Sequence, residues 1–305
     1  MGKKFFYAII AAFLLYGTAI KAQDDDSLSN SERHNWRWHW DWEDNWGGWI
    51  HGKPSIEVNY GLGQPKHDKL NSKLTKVGLS EIKIGNVSFD EIDENVVEFN
   101  EKYGFISRMA TSLQNGTANI SELNSDLLRF GVGKRSGYGY DFNNVKILPY
   151  NEVAAVWSKL DMKDYPVSIL PVLSIGQAEN DTQILDRYNN EFRFGTLNEG
   201  GIRLEVGRFM SLNAAYEAAV VFPRHLVWKH AASFIIESIG EKALDNFVDE
   251  VLDSSPAAAP IVNFLLKNGY SYLFYTLKKD RMNWPFKTET PLTYETFKFG
   301  VMFTF

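Results

Sequence analysis

The sequence predicts an all-β membrane protein: an antiparallel transmembrane β-barrel of roughly 8 to 12 strands, with a helical hairpin inserted before the last strand. Three observations carry this prediction. Segments of about ten residues alternate apolar and polar side chains along much of the chain. Past the N-terminal segment, no apolar run reaches the length of about 18 that marks a spanning helix. The last strand has one face built almost wholly of phenylalanine.

The N-terminal stretch MGKKFFYAIIAAFLLYGTAIKAQ places Lys3 and Lys4 before an apolar run from Phe5 to Tyr16, followed by small residues up to Ala22. That is the layout of a secretory signal peptide, residues 1–22, with cleavage expected after Ala22. The chain has no cysteine, which excludes disulfide scaffolds, thiol catalysis, thiolate metal sites and a cysteine-linked lipid anchor. Counting on to Ile20 leaves an uncleaved anchor as the alternative; if the mature chain is held at a membrane, its own fold has to hold it.

Residues 23–52 form a Trp-rich, periplasmic N-terminal segment, in which NWRWHWDWEDNWGGW holds six of the nine tryptophans. Trp36, Trp38, Trp40 and Trp42 follow a period of two, so an extended chain sets them on one side against Arg37, His39 and Asp41. Tryptophan favours the membrane–water interface, where its ring meets apolar groups and its N–H still finds a partner. Trp36, Trp38, Trp40, Trp42, Trp46 and Trp49 are accordingly expected at the membrane surface. Zinc binding by His34, His39 and His51 with Asp41, Glu43 or Asp44 uses suitable ligand types, but the spacing is irregular. Stacking on sugars and an exposed tail are further readings of this run. No metal and no cofactor is expected.

The barrel is assigned to residues 53–305. PSIEVNYGLG sets Ile56, Val58, Tyr60 and Leu62 against Ser55, Glu57, Asn59 and Gly61. GIRLEVGRF and LNAAYEAAVVF alternate in the same way and are separated by a tight turn near Phe209–Leu212. Weaker strands are read at 79–89, 127–134 running on to 138–142, 145–160, 166–176 and 191–197. If the alternation holds, Glu57, Glu81, Lys83, Arg203, Glu205 and Arg208 face the lumen, where charges pair with one another or line a channel.

From residue 225 to about 277 the apolar period changes to three and four, and the helical insertion is assigned to 225–268. Phe234, Ile235, Ile239, Ala243, Phe247, Val248, Val251 and Leu252 share one helical face, opposed by Glu237, Glu241, Asp245, Asp249 and Asp253. Prolines in SSPAAAP end that helix, and IVNFLLKNG starts a shorter one stopped at Gly269. The expected role is a cap or plug that buries its apolar face against the barrel end; a gate or partner-binding arm is the alternative. YSYLFYTL, 270–277, reads as either helix or strand, and that choice sets the side of the membrane on which the hairpin lies.

The chain closes on KFGVMFTF. Phe297, Phe299, Val301, Phe303 and Phe305 share one face of this strand, with Thr296, Lys298, Gly300, Met302 and Thr304 on the other. Lys298, Gly300, Phe303 and Phe305 resemble the C-terminal assembly signal of bacterial outer-membrane β-barrel proteins. That resemblance implies a closing strand read by the barrel-assembly machinery, an outer-membrane location and outer-membrane lipids as neighbours. Asp26-Ser27-Leu28 is similar to the short Asp-Ser/Thr-aliphatic site glycosylated in some Bacteroidetes.

Function is read less sharply. A net charge of −6 without a basic stripe gives no support for nucleic-acid binding. The leading expectation is a non-catalytic pore, transporter or membrane-anchored scaffold. The alternatives are a lipid-modifying enzyme using His67 or His225, with His230 nearby in sequence, and a surface-binding module using loops or the hairpin. No GxSxG or HExxH motif supports catalysis, and FGVGKRSG, 130–137, lacks the spacing of a phosphate loop.

Overall fold

The computed structural model describes residues 52–114, 122–169, 173–207 and 209–305. Eight strands pair antiparallel in chain order: β1 (Lys53–Lys66), β2 (Val77–Asp93), β3 (Val96–Ala110), β4 (Ser125–Asp141), β5 (Val145–Met162), β6 (Phe192–Val206), β7 (Met210–Val221) and β8 (Leu292–Thr304). β8 pairs back onto β1, with Ile56 opposite Phe303 and Leu62 opposite Phe297, and closes the barrel. Closure leaves no unpaired edge, which a terminal strand as hydrophobic as β8 would otherwise present.

Following paired residues once around the wall from Pro54 leads back to β1 at Gln64, ten positions along. Such a stagger tilts the strands relative to the barrel axis. Short connections join β2 to β3, β4 to β5 and β6 to β7 at one rim, the turn end; the longer connections lie at the other, the loop end. Lys73–Leu74 and Glu122–Leu123 form a two-residue parallel pair in those loops.

Among the described residues, three α-helices interrupt the strands. α1 (Ile175–Leu185) links β5 to β6 and begins in a capping box, with Ser174 and Gln177 satisfying each other's backbone N–H groups. α2 (Val227–Ser254), a 3-10 turn (Pro256–Ala258) and α3 (Ala259–Asp280) link β7 to β8.

Several details differ from the sequence expectations. The barrel has eight strands, the low end of the expected range. Within the segment 166–176, Pro166–Ile169 form a 3-10 turn and Ile175 begins α1, and the single strand β6, Phe192–Val206, takes in most of EFRFGTL and the first six residues of GIRLEVGRF. β3 is absent from the sequence reading because its outward positions are Glu98, Asn100 and Lys102 and its inward ones Phe99, Tyr103 and Phe105, the reverse of a lipid-facing pattern. The helical insertion runs to Asp280 rather than 268. Gly269 does not stop it, because the following turns are held by tertiary contacts: the Tyr270 hydroxyl donates to Glu237 O (2.9 Å) and Tyr275 is buried against β7.

Candidate functional site

Alternation along the strands sorts the side chains into an inner and an outer set. Inside the barrel lie Glu57, Glu81, Glu101, Glu152, Glu199 and Glu217 with Lys83, Arg129, Arg135, Arg203 and Lys298, all but completely buried. Six carboxylates thus face five cationic groups among the described residues. Arg135 is the hub: its guanidinium donates to Glu57 (2.7 Å), Glu152 (2.8 Å), Glu101 (3.0 Å) and Glu199 (3.4 Å). Its carbon lies 4.4 Å from the centre of the Tyr150 ring, so the planar cation is stacked as well as paired.

Lys83 binds Glu152 (2.7 Å) and Glu199 (3.3 Å); Lys298 binds Glu81 (3.0 Å), Glu217 (2.7 Å) and Glu199. Arg203 pairs with Glu101, and Arg129 with Glu217. The neutral members complete the network: the Asn59 amide donates to Glu57 (2.7 Å) and Glu81 (3.1 Å), Tyr150 donates to Glu199 (2.8 Å) and Tyr103 to Glu152. Gly300 leaves room for Asn59, since a Cβ there would stand 1.8 Å from the Asn59 amide oxygen. Charges this deeply buried persist only when paired and hydrogen-bonded on most sides.

Apolar layers close the network above and below. Toward the loop end Leu79, Phe105, Met109, Leu127 and Tyr294 pack with Leu74, Leu185 and Tyr188 from the loops. Toward the turn end Val97, Phe99, Leu148 and Tyr150 form a second cluster. The loop-end cover is latched by Asp181 of α1, which accepts from Asn71 N (3.0 Å) and Ser72 N (2.7 Å) and from the Asn71 amide (2.9 Å). Burial pushes the Asp181 carboxyl up, but these donors outweigh it and hold the group below the usual carboxylate range.

The outer set is apolar around β8, β1 and β2: Phe297 and Phe299 are 63% and 68% exposed, and Ile56, Val58, Tyr60, Leu62, Ile82 and Ile84 are exposed beside them. From β4 to β7 α3 packs against part of the outer wall, while Phe130, Val132, Ile202 and Leu212 stay exposed beside it. The Asn268 amide donates to Tyr150 O (3.1 Å), and Asn151, outward on β5 yet only 8% exposed, donates to Asn268 and to Ser271. Gly200 permits this approach, since a Cβ there would meet the Asn268 amide oxygen at 2.3 Å.

The hairpin runs the height of the wall. At the turn end Tyr140 donates to Ala257 O (2.7 Å); at the loop end the His230 ring stacks on Phe222 (4.4 Å) and Tyr275 donates to Glu295 (3.1 Å). It does not plug the barrel, and it does not bury the expected face. Glu237 is buried against Lys278 and Asp245 pairs with Lys267, while Ile235, Ile239 and Phe247 of α2 and Ile261, Leu265 and Leu273 of α3 point outward. Glu237 and Asp245 turn inward because the lysines of α3 offer them partners, while Asp249 and Asp253 farther along α2 are exposed.

Of the residues singled out in the sequence, Glu57, Glu81, Lys83 and Arg203 lie inside the barrel, and Glu205 is half-buried near the turn end. Lys298 is part of the ion-pair network, whereas Phe303 and Phe305 lie on the outer wall. Arg208 and all of Trp36, Trp38, Trp40, Trp42, Trp46 and Trp49 lie outside the described residues, as do His34 and His39. His67 packs edge-on against Tyr188 (6.1 Å), while His225 and His230 flank Phe194 (6.5 and 6.4 Å). Burial lowers the pKa of His67 and of His225, which favours neutral rings. Among the described residues no group of His, Asp and Glu could hold a metal. The sequence reading passed over Glu101, Arg129, Arg135, Glu152, Glu199 and Glu217; counting strand parity from Phe99, Leu127, Tyr150, Leu197 and Ala215 finds them.

The chain is a closed eight-stranded antiparallel barrel with an ion-paired interior, an apolar outer wall and an external helical hairpin. No family model and no curated protein matches it. Among solved structures it is similar to neisserial surface protein A, with a TM-score of 0.39 and 10% sequence identity over 84% of this chain and 100% of that one. It is also similar to Ail, the attachment invasion locus protein of Yersinia pestis, with a TM-score of 0.33 and 11% identity over 84% and 99%.

Proposed function

We propose that the chain is an integral outer-membrane barrel acting as a non-catalytic, membrane-anchored scaffold rather than a pore or transporter. The observation that carries this reading is the reversal of ordinary burial: the charges are inside, and Ile56, Val58, Tyr60, Leu62, Phe297 and Phe299 form a continuous exposed band outside. A water-soluble monomer rarely presents so broad an apolar surface, whereas a closed barrel with an apolar band of roughly 25 Å suits a bilayer. Ion pairs and two apolar layers occupy the interior in place of a water-filled lumen.

Short turns at one rim and long connections at the other support a periplasmic turn end and an outward loop end. The signal peptide, the interfacial tryptophans, and an assembly signal at Lys298, Gly300, Phe303 and Phe305 belong to the same proposal. The outward stripe of the hairpin extends the apolar band, so α2 and α3 lie beside the barrel within the bilayer. The decisive test combines outer-membrane fractionation, migration on gels with and without boiling, and conductance in a planar bilayer. Membrane recovery, a heat-dependent shift and no steady conductance are expected. Recovery as a soluble periplasmic protein, or a stable ohmic conductance, would refute the proposal.

A further inference from the structure

On the part of the wall facing the hairpin, β3 and β4 change character along their length. From the turn end, the outward positions of β4 are Tyr138, Ser136 and Lys134, then Val132, Phe130 and Leu128; paired with them on β3 are Glu98, Asn100 and Lys102, then Gly104 and Ile106. The polar half faces Lys242, Asp245 and Asp249 of α2 and Asn263 and Lys267 of α3 across a cleft of about 220 Å³. Lys267 and Asp245 pair with each other. Lys134, Lys242, Glu98 and Asp249 line the cleft without a salt bridge among the described residues, Glu98 accepting a hydrogen bond from the Asn100 amide (3.0 Å).

Hydrocarbon does not solvate four such groups, so at this place in the wall the cleft requires a polar occupant. Both signs of charge are present, which matches a zwitterion better than a simple anion or cation. Lysines complement a phosphate and carboxylates an ammonium. Directly beyond the polar half, Val132, Phe130 and Ile106 are exposed and continue toward the loop end as an apolar track.

We propose that this cleft seats a zwitterionic glycerophospholipid. Its phosphate meets Lys134 and Lys242, its ammonium meets Glu98 and Asp249, and its acyl chains run along Val132, Phe130 and Ile106. The inference rests on the membrane reading above, and the head-to-tail direction places the lipid in the leaflet at the turn end.

The test uses the full chain folded in detergent and offered equal amounts of dimyristoyl phosphatidylethanolamine and dimyristoyl phosphatidylglycerol, with retained lipid read by native mass spectrometry. One phosphatidylethanolamine should be retained about tenfold over phosphatidylglycerol. Combining Lys134→Met with Lys242→Met should abolish that excess while the heat-dependent gel shift persists. Glu98→Gln, which removes an ammonium partner, should move the preference toward phosphatidylglycerol. Equal retention of the two lipids, no retention, or a preference unchanged by the double substitution overturns the proposal. Should the double variant fail to fold, an unchanged preference in Glu98→Gln overturns it instead. Flotation with vesicles separates the two levels: a wild-type chain that floats and shifts on gels but selects no lipid refutes the cleft alone, whereas one that does neither refutes the membrane reading.

Discussion

Arg135→Met removes the guanidinium hub of the interior network while keeping an unbranched apolar stem. Four carboxylates lose a partner, but unequally. Glu101 keeps Arg203, Glu152 keeps Lys83, and Glu199 keeps Lys83 and Lys298. Glu57 retains the Asn59 amide but, of cations, only Arg203, at 3.7 Å. The least costly response is for one carboxylate to fold protonated, which from an ordinary glutamate value of about 4.3 costs about 3.7 kcal/mol at pH 7 and about 1 kcal/mol at pH 5. The first figure falls within the roughly 3–5 kcal/mol measured for breaking buried ion pairs. The folded variant then binds one more proton than its unfolded chain, so its deficit shrinks as pH falls. Urea titration of the gel-shifted folded fraction in detergent at pH 7 and pH 5, for both proteins, measures this directly. A variant as stable as the wild type at pH 7, or a deficit equal at the two pH values, would show that the network is not the paired and dry arrangement described.

Two further outcomes are expected. Asp181→Asn should weaken the loop-end latch by about 2–3 kcal/mol, seen as amide exchange at Asn71 and Ser72 faster by roughly 30- to 150-fold. Because the Asp181 carboxyl is held below its unfolded value of about 3.9, the latch is fully present above that pH and is lost as pH falls through the folded value, where wild type and variant converge. In this cysteine-free chain, Ile239→Cys should resist a water-soluble maleimide in proteoliposomes while Lys229→Cys, near the loop end, reacts readily. Equal labelling rates would place the outward stripe of α2 in water.

Legibility followed the locality of the cause. The outward faces of β1 and β8 were readable because Ile56 to Leu62 and Phe297 to Phe305 repeat with a period of two, set by the strand alone. β3 escaped notice because the rule assumes a lipid-facing exterior, and Glu98, Asn100 and Lys102 face the hairpin side of the wall. Gly269 looked like a helix stop by local propensity, yet the contacts of Tyr270 and Tyr275 carry α3 to Asp280. The amphipathic pattern of α2 was real, but which side it buries depends on Lys267 and Lys278, partners that lie in another helix.

The sequence by itself determined the barrel class, the parity of most strands and the existence of a helical hairpin, since each follows from the spacing of neighbouring side chains. Only the tertiary structure decided that eight strands close, that Arg135 gathers Glu57, Glu101, Glu152 and Glu199 from four strands, and that the hairpin lies along the wall with Glu237 and Asp245 turned to the lysines of α3. Those arrangements depend on which distant charges meet in a space without water, where a carboxylate is tolerated only beside its cation and a helix turns toward whichever surface supplies one.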